Sequence, residues 1–157
     1  MKYGLFLFAL IAIAQTGFSQ TATESALVQK NKLYTGAKAS GVEYKVIYQL
    51  DTDDPKIIGK TIRNINNAIT DPRLKGHLKI ELVTYAGGTQ ALLKKNSQYQ
   101  EPIKDLINKG VIVAQCENSI REQGRTKAEF FDFIGYTPSG NGELIIRAQQ
   151  GWAIVKP

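Results

Sequence analysis

A chain of 157 residues is long enough for one folded domain with a core of its own and too short to suggest several. Hydrophobic residues at 43% and charged residues at 22% form an ordinary globular mixture, which excludes a disordered chain. The formal charge of +6 is modest and scattered, and no aromatic residues interleave with a basic stripe, so nucleic acid is not an expected partner.

The start of the chain differs from the rest. Met1-Lys2-Tyr3 places one charge ahead of the apolar run from Gly4 to Ala14. Gly17-Phe18-Ser19 then supplies small residues before a cut ahead of Gln20. A charged start, a short apolar run and small residues at the cut predict a secretory signal over residues 1–19. A membrane anchor is the competing reading, but a span needs about 20 apolar residues. Cleavage removes only Lys2 among the charges, and the mature chain is expected in the periplasm or outside the cell, with no membrane contact.

Residues 20–42 are polar and predict a flexible lead, with one helical turn around Ser25 to Lys30. The domain is expected over residues 43–157. Tyr44 to Leu50 is rich in β-branched and aromatic residues and predicts a strand. Asp53-Asp54-Pro55 predicts a capped helix start. Ile57, Ile58, Ile62, Ile65 and Ile69 then give one apolar helical face, which stops near Asp71-Pro72. A second strand is expected over Leu78 to Tyr85, followed by a tight turn at Ala86-Gly87-Gly88 and a short helix from Thr89 to Lys95.

Pro102 to Lys109 predicts another helix, with Gly110 as its stop. Val111 to Gln115 is apolar enough for a strand buried on both faces, and Cys116 stands at its end. Lys127 to Ile134 predicts a helix, Tyr136 to Gly140 a short strand and turn, Gly142 to Gln150 a helix stopped by Gly151, and Trp152 to Lys156 a closing strand. Five strands alternating with helices predict a three-layer α/β/α sandwich on a mostly parallel sheet.

Ligands of such sheets collect beyond the carboxyl ends of the strands. The Asp51 to Asp54 turn, the Gly87-Gly88 turn and Cys116 fall on that edge. The acidic turn lacks the glycine and distal glutamate of a calcium loop, and helix capping explains it; no metal site and no cofactor are expected. Gly87 and Gly88 either cradle an anion at the following helix start or form a plain turn. Cys116 is the only cysteine, so no internal disulfide can form. In an oxidising compartment it is a buried small hydrophobe, a partner in an intermolecular bond, or a reactive thiol. The only histidine, His77, lies at the far end of the second strand, which excludes a Cys-His dyad.

Several segments together resemble the DsrE/DsrF-like family: Tyr44 to Leu50 with Asp53-Asp54-Pro55, Asn64-Ile65-Asn66-Asn67, Leu106 to Val111, Ala114-Gln115-Cys116-Glu117-Asn118-Ser119, Pro138-Ser139-Gly140, and Gln149 to Ala153. The likeness spans about residues 44–157. It implies a flavodoxin-like fold that assembles into trimers or hexamers. It also implies that Cys116, alone among the site candidates, carries sulfur as a persulfide between donor and acceptor proteins or small sulfur compounds; Gly87, Gly88 and Asn118 are candidate ligand-binding residues by their place near the strand ends. Many relatives show a histidine-glycine pair where this chain has Tyr85-Ala86, and the sulfur-relay members are cytoplasmic.

Two functions follow. One is an exported, thiol-dependent sulfur carrier or transferase acting through Cys116. The other is a non-catalytic binding or assembly module in which Cys116 is a buried structural residue. An anion binder at Gly87-Gly88 is a third, weaker option.

Overall fold

The structure is a computed structural model and describes residues 19–41 and 43–157. The expected signal, residues 1–19, lies outside the described residues but for Ser19. The described residues fall into two compact units that divide between Ala37 and Lys38. In the first, the helical turn expected around Ser25 to Lys30 is part of a longer helix, α1, Ser19–Lys32, and residues 34–41 of the expected lead form no regular element. Alanine, leucine, glutamine and lysine are good helix formers, and together they extend one turn into four.

The second unit is a five-stranded parallel sheet with helices on both faces. In chain order it holds β1 (Tyr44–Leu50), α2 (Pro55–Thr70), β2 (Leu78–Thr84), α3 (Gln100–Asn108), β3 (Ile112–Cys116), α4 (Glu117–Glu122), β4 (Gly135–Thr137), α5 (Gly140–Gln149) and β5 (Ala153–Val155). The sheet order is β4-β3-β2-β1-β5, and every pairing is parallel. The expected three-layer α/β/α sandwich is thus the fold.

Local chemistry sets the helix ends. Asp54 accepts a hydrogen bond from the Lys56 backbone N–H at 2.8 Å, and Pro55 opens α2 with a fixed φ and no N–H to leave unpaired. Gly110 and Gly151 stand just past α3 and α5 with φ of +90° and +78°, where a side chain would be strained.

The pleat divides the core into two. On one face Val46, Tyr48, Leu50, Ile80, Leu82 and Val113 pack with Ile58 and Ile65 of α2, Ile103 and Leu106 of α3, and Ile120 of α4. On the other, Ile47 and Val83 pack with Leu144 of α5 and Trp152. This second apolar cluster is small, and a charged group completes it. Glu81, 1% exposed, takes a 2.7 Å bond from Arg147 of α5, which also pairs with Glu143 at 3.0 Å and lies 4.2 Å from the centre of the Trp152 ring. A buried carboxylate without such a partner would cost several kcal/mol, on the order of 3–5.

One expected element differs. Lys127 to Ile134 is helical only as a 3-10 turn, Lys127–Glu129. The Phe131 N–H bonds the Leu92 carbonyl at 3.1 Å, the Lys94 N–H bonds Glu129 at 2.8 Å, and Phe130 pairs with Leu93. Burial of Phe130 and Phe131 against the segment after β2 overrides a spacing that reads as helical. The segment after β2 is itself a 3-10 helix, Ala86–Leu92, starting earlier than the short helix expected from Thr89.

Burial pushes the Glu81 carboxyl up from its ordinary 4.5, Arg147 opposes that shift and Glu143 adds to it. A raised folded-state pKa gives stability that is full below the ordinary value and is lost as pH rises through the raised one. The wild-type chain should therefore lose stability relative to Glu81→Gln as pH rises from about 4.5 toward neutral. Urea midpoints of both chains across that range check this; a constant difference contradicts it.

Candidate functional site

In this topology α4 leaves the end of β3 toward one face, and α5 leaves the end of β4 toward the other. Where neighbouring connections part in this way, a crevice opens beyond the carboxyl ends of the strands. A cleft of about 300 Å³ lies there, lined by Tyr85, Ala86, Cys116, Asn118, Ser119, Glu122, Ser139, Gly140 and Asn141. Its walls come from the segments that follow β2, β3 and β4.

Cys116 forms the inner wall. As the last residue of β3 and the residue before α4, it keeps an extended backbone, φ −68° and ψ 120°. Strand alternation turns its side chain to the α5 face, opposite Gln115, and in register it lies beside Thr137 of β4. The residue is 3% exposed, yet it belongs to neither apolar cluster and borders the cleft.

The backbone at Cys116 is fixed from behind. Gln115, fully buried, accepts from Thr84 Oγ1 at 2.6 Å and donates from Nε2 to the Cys116 carbonyl at 3.0 Å and to Thr89 Oγ1 at 3.2 Å. One side chain so ties β2, the 3-10 helix and the cysteine. Among the described residues every buried side-chain polar atom has a partner.

Ala86 forms the rim. Its φ of +45° makes it the only described non-glycine residue in the left-handed region, a conformation that costs an alanine about 1–2 kcal/mol. Two hydrogen bonds from α4 and its end hold it: the Ala86 N–H donates to Ser119 Oγ at 2.9 Å, and Gln123 Nε2 donates to the Ala86 carbonyl at 2.7 Å. Strain kept at a cleft wall by such bonds is a mark of functional sites.

Tyr85 and Gly140 fit together. A Cβ on Gly140 would lie 2.8 Å from the Tyr85 ring. Burial first, and then Asp51, push the Tyr85 phenol up from 10.0, so it stays protonated at neutral pH and can donate a hydrogen bond. Asp51 itself is held by Lys156 at 2.7 Å. Opposite, the first turns of α4 and α5 both open at the cleft. Ser139 caps α5 by accepting from the Gly142 N–H at 3.1 Å.

Of the candidates named from sequence, Cys116 and Asn118 line this cleft together. Gly87 and Gly88 do not. A Cβ on Gly88 would sit 1.9 Å from the Leu50 carbonyl oxygen, and one on Gly87 2.8 Å from the Asp53 nitrogen. Their lack of side chains lets the segment after β2 lie directly on the β1–α2 backbone. The Asp51 to Asp54 turn meets the glycine turn through that contact, and Cys116 joins only Ala86. Tyr85, Ser119, Ser139 and Gly140 were noted from sequence only within the family-like segments and not as site residues, and Glu122 and Asn141 were not noted at all. The glycine-rich Pro138 to Gly142 stretch, at the end of a short strand, is the signal that pointed to three of them.

Comparison with known proteins agrees with this fold. The family model for the DsrE/DsrF-like family matches residues 45–157, most of the chain. The chain belongs to the DsrE/DsrF-like family. Among solved structures this DsrE/DsrF-like protein is similar to MTH1491, a protein of unknown function from Methanobacterium thermoautotrophicum. The match has a TM-score of 0.68 and 27% identity, and covers 73% of this chain and 100% of that one. No curated protein matches.

Two substitutions test the supports, and a third serves as a control. Gln115→Leu should lower stability by about 2–4 kcal/mol, because Thr84, Thr89 and the Cys116 carbonyl lose their shared partner in a dry site. Gly88→Ala should cost about 4 kcal/mol or prevent folding, while Gly59→Ala, with nothing within 4 Å of the new methyl, should stabilise α2 by about 0.5–1 kcal/mol. Chemical denaturation measures all three; a tolerated Gly88→Ala would contradict the close approach of the two backbones.

Proposed function

We propose that this DsrE/DsrF-like protein is a thiol-dependent sulfur carrier in which Cys116 accepts a sulfane sulfur and passes it on. The observation that carries the reading is the position of Cys116 at the wall of an open polar cleft, outside both apolar clusters. A cysteine kept only for packing belongs among aliphatic neighbours.

The chemistry needs no metal or electron carrier. The Cys116 thiolate attacks the outer sulfur of a persulfide, R–S–SH. The new bond joins Sγ to that sulfur, the old S–S bond breaks, and R–S⁻ leaves, giving Cys116–S–SH. An acceptor thiolate then attacks the outer sulfur in the same way and restores the Cys116 thiolate. No histidine or lysine lines the cleft. We place this activity outside the cytoplasm, on the signal pattern of residues 1–19.

A second reading, a binding or assembly module with Cys116 as a structural residue, draws on its 3% exposure. Assembly has its own support in either case. Ile145 and Ile146 of α5 are 65% and 53% exposed, and Ile112 and Ile154, in register with Glu81 and Ile47 of the sheet face that α5 covers, are 49% and 45% exposed. Apolar side chains grouped in this way favour contact between copies of the chain.

Incubation with inorganic polysulfide, followed by mass spectrometry of the intact protein, decides between the readings. A gain of about 32 Da, one sulfur atom, that is lost in Cys116→Ser and reversed by a thiol supports the carrier. A wild-type chain that gains no sulfur contradicts it.

A further inference from the structure

The register of the sheet shows which side chains flank the Cys116 sulfur. Thr84 of β2 pairs with Gln115 of β3, so the next residues, Tyr85 and Cys116, also stand side by side. Tyr85 keeps an extended backbone, φ −155° and ψ 175°, and its N–H donates to the Leu50 carbonyl at 3.1 Å, which carries strand alternation through it. Thr84 and Gln115 meet through their side chains on one face of the sheet. Tyr85 and Cys116 therefore share the other, the α5 face, with backbones about 4.8 Å apart. There Tyr85 packs against the cluster of Ile47, Val83, Leu144 and Trp152.

These neighbours wall the thiol in. A cysteine side chain ends one atom beyond Cβ, whereas a tyrosine ring projects several bonds further, so Tyr85 stands taller than the sulfur beside it. Thr137, the neighbour on the other side, is 5% exposed, and its hydroxyl is bonded to Glu143. Gly140 lies against the Tyr85 ring so closely that a Cβ there would come within 2.8 Å of it. With glycine in that place the backbone of α5 itself packs on the ring and holds it. The result is a free thiol, 3% exposed, at the inner wall of a cleft of about 300 Å³. That volume is at the small end of ligand sites.

Sulfur exchange needs contact. The new S–S bond is about 2.05 Å long, and the attacked sulfur must reach Sγ with its leaving sulfur pointing out of the cleft. A persulfide on the surface of a folded protein extends one sulfur beyond a cysteine, so the donor's own backbone would have to enter beside Tyr85 and α5. A chain of sulfur atoms, or a persulfide on a small flexible molecule, carries no such bulk. Resting on the carrier reading above, we infer that Tyr85 and the start of α5 make the cleft a size filter: Cys116 exchanges sulfur with inorganic polysulfide and small organic persulfides, and not with a persulfide on a folded protein. Transfer is the exchange already written, with a small thiolate, or a polysulfide chain shorter by one sulfur, as the leaving group.

The test compares persulfide formation on Cys116 from inorganic polysulfide and from serum albumin carrying a persulfide on its free cysteine. Each rate is divided by that of the same donor with N-acetylcysteine, which removes the donor's intrinsic reactivity. In the wild-type chain the normalised rate should be at least about a hundredfold higher for polysulfide, because a protein donor reaches the sulfur only when the site opens locally. Tyr85→Phe keeps the ring and should keep that ratio. Tyr85→Ala should shrink it about tenfold, by raising the rate with albumin alone. Equal normalised rates in the wild-type chain overturn the inference, as does a ratio lost in Tyr85→Phe. A folded Tyr85→Ala chain that keeps the full ratio, or that gains equally with both donors as a merely loosened site would, overturns it too. The wild-type and Tyr85→Phe comparisons stand even where Tyr85→Ala does not fold. Those results leave the carrier reading intact. Failure of polysulfide to load Cys116 overturns both.

Discussion

The site depends on the hydrogen bonds of one buried amide. Gln115 precedes Cys116 and points to the opposite face of the sheet, where Thr84, Thr89 and the Cys116 carbonyl share its oxygen and nitrogen. Each of these groups is in a dry environment, so none can exchange its partner for water without cost. The end of β3 is therefore fixed against β2 and against the 3-10 helix. The thiol on the other side of the backbone takes its position from that. Ser119 and Gln123 extend the same logic to Ala86, holding a strained alanine at the rim.

Topology supplies the opening. Had α4 and α5 packed on the same face, the end of β3 would be roofed over and Cys116 enclosed. Because they part, the residue lies at a boundary between layers, and a small polar cleft replaces the apolar packing found elsewhere. Gly140 contributes by its missing side chain, since any Cβ there would strike the Tyr85 ring. On the α5 face the buried Glu81–Arg147 pair and Glu143, which also accepts from Thr137 Oγ1 at 3.1 Å, connect the centre of the sheet to the strand beside Cys116.

Much of the fold was legible because local and long-range preferences agree. Asp54-Pro55 starts α2, isoleucines at helical spacing face its core, and Gly110 and Gly151 end α3 and α5. The reading failed where they disagree. Phe130, Phe131 and Ile134 are spaced like a helix face, but pairing of this stretch with Leu92, Leu93 and Lys94 makes it extended. Gly87 and Gly88 were legible as a special turn, and not as a place where two backbones touch, because their partners Asp53 and Leu50 lie far earlier in the chain. Cys116 and Asn118 stood out by type and place. Glu122 and Asn141 are ordinary surface residues in sequence, and only the crossing of the chain over both sheet faces brings them together. Glu81 could have been noticed as a charge in the middle of an apolar strand, though its partner Arg147 could not be named from that.

The central claim is that the Cys116 sulfur meets solvent through the cleft in the folded state. Its rate of alkylation by a small neutral reagent such as iodoacetamide, followed in increasing urea well below the unfolding transition, tests this directly. Access through the cleft gives a rate that is measurable in water and nearly independent of urea. A rate that vanishes in water and rises with urea in step with the unfolded fraction would mean that the thiol is reached only by unfolding, and would contradict the account.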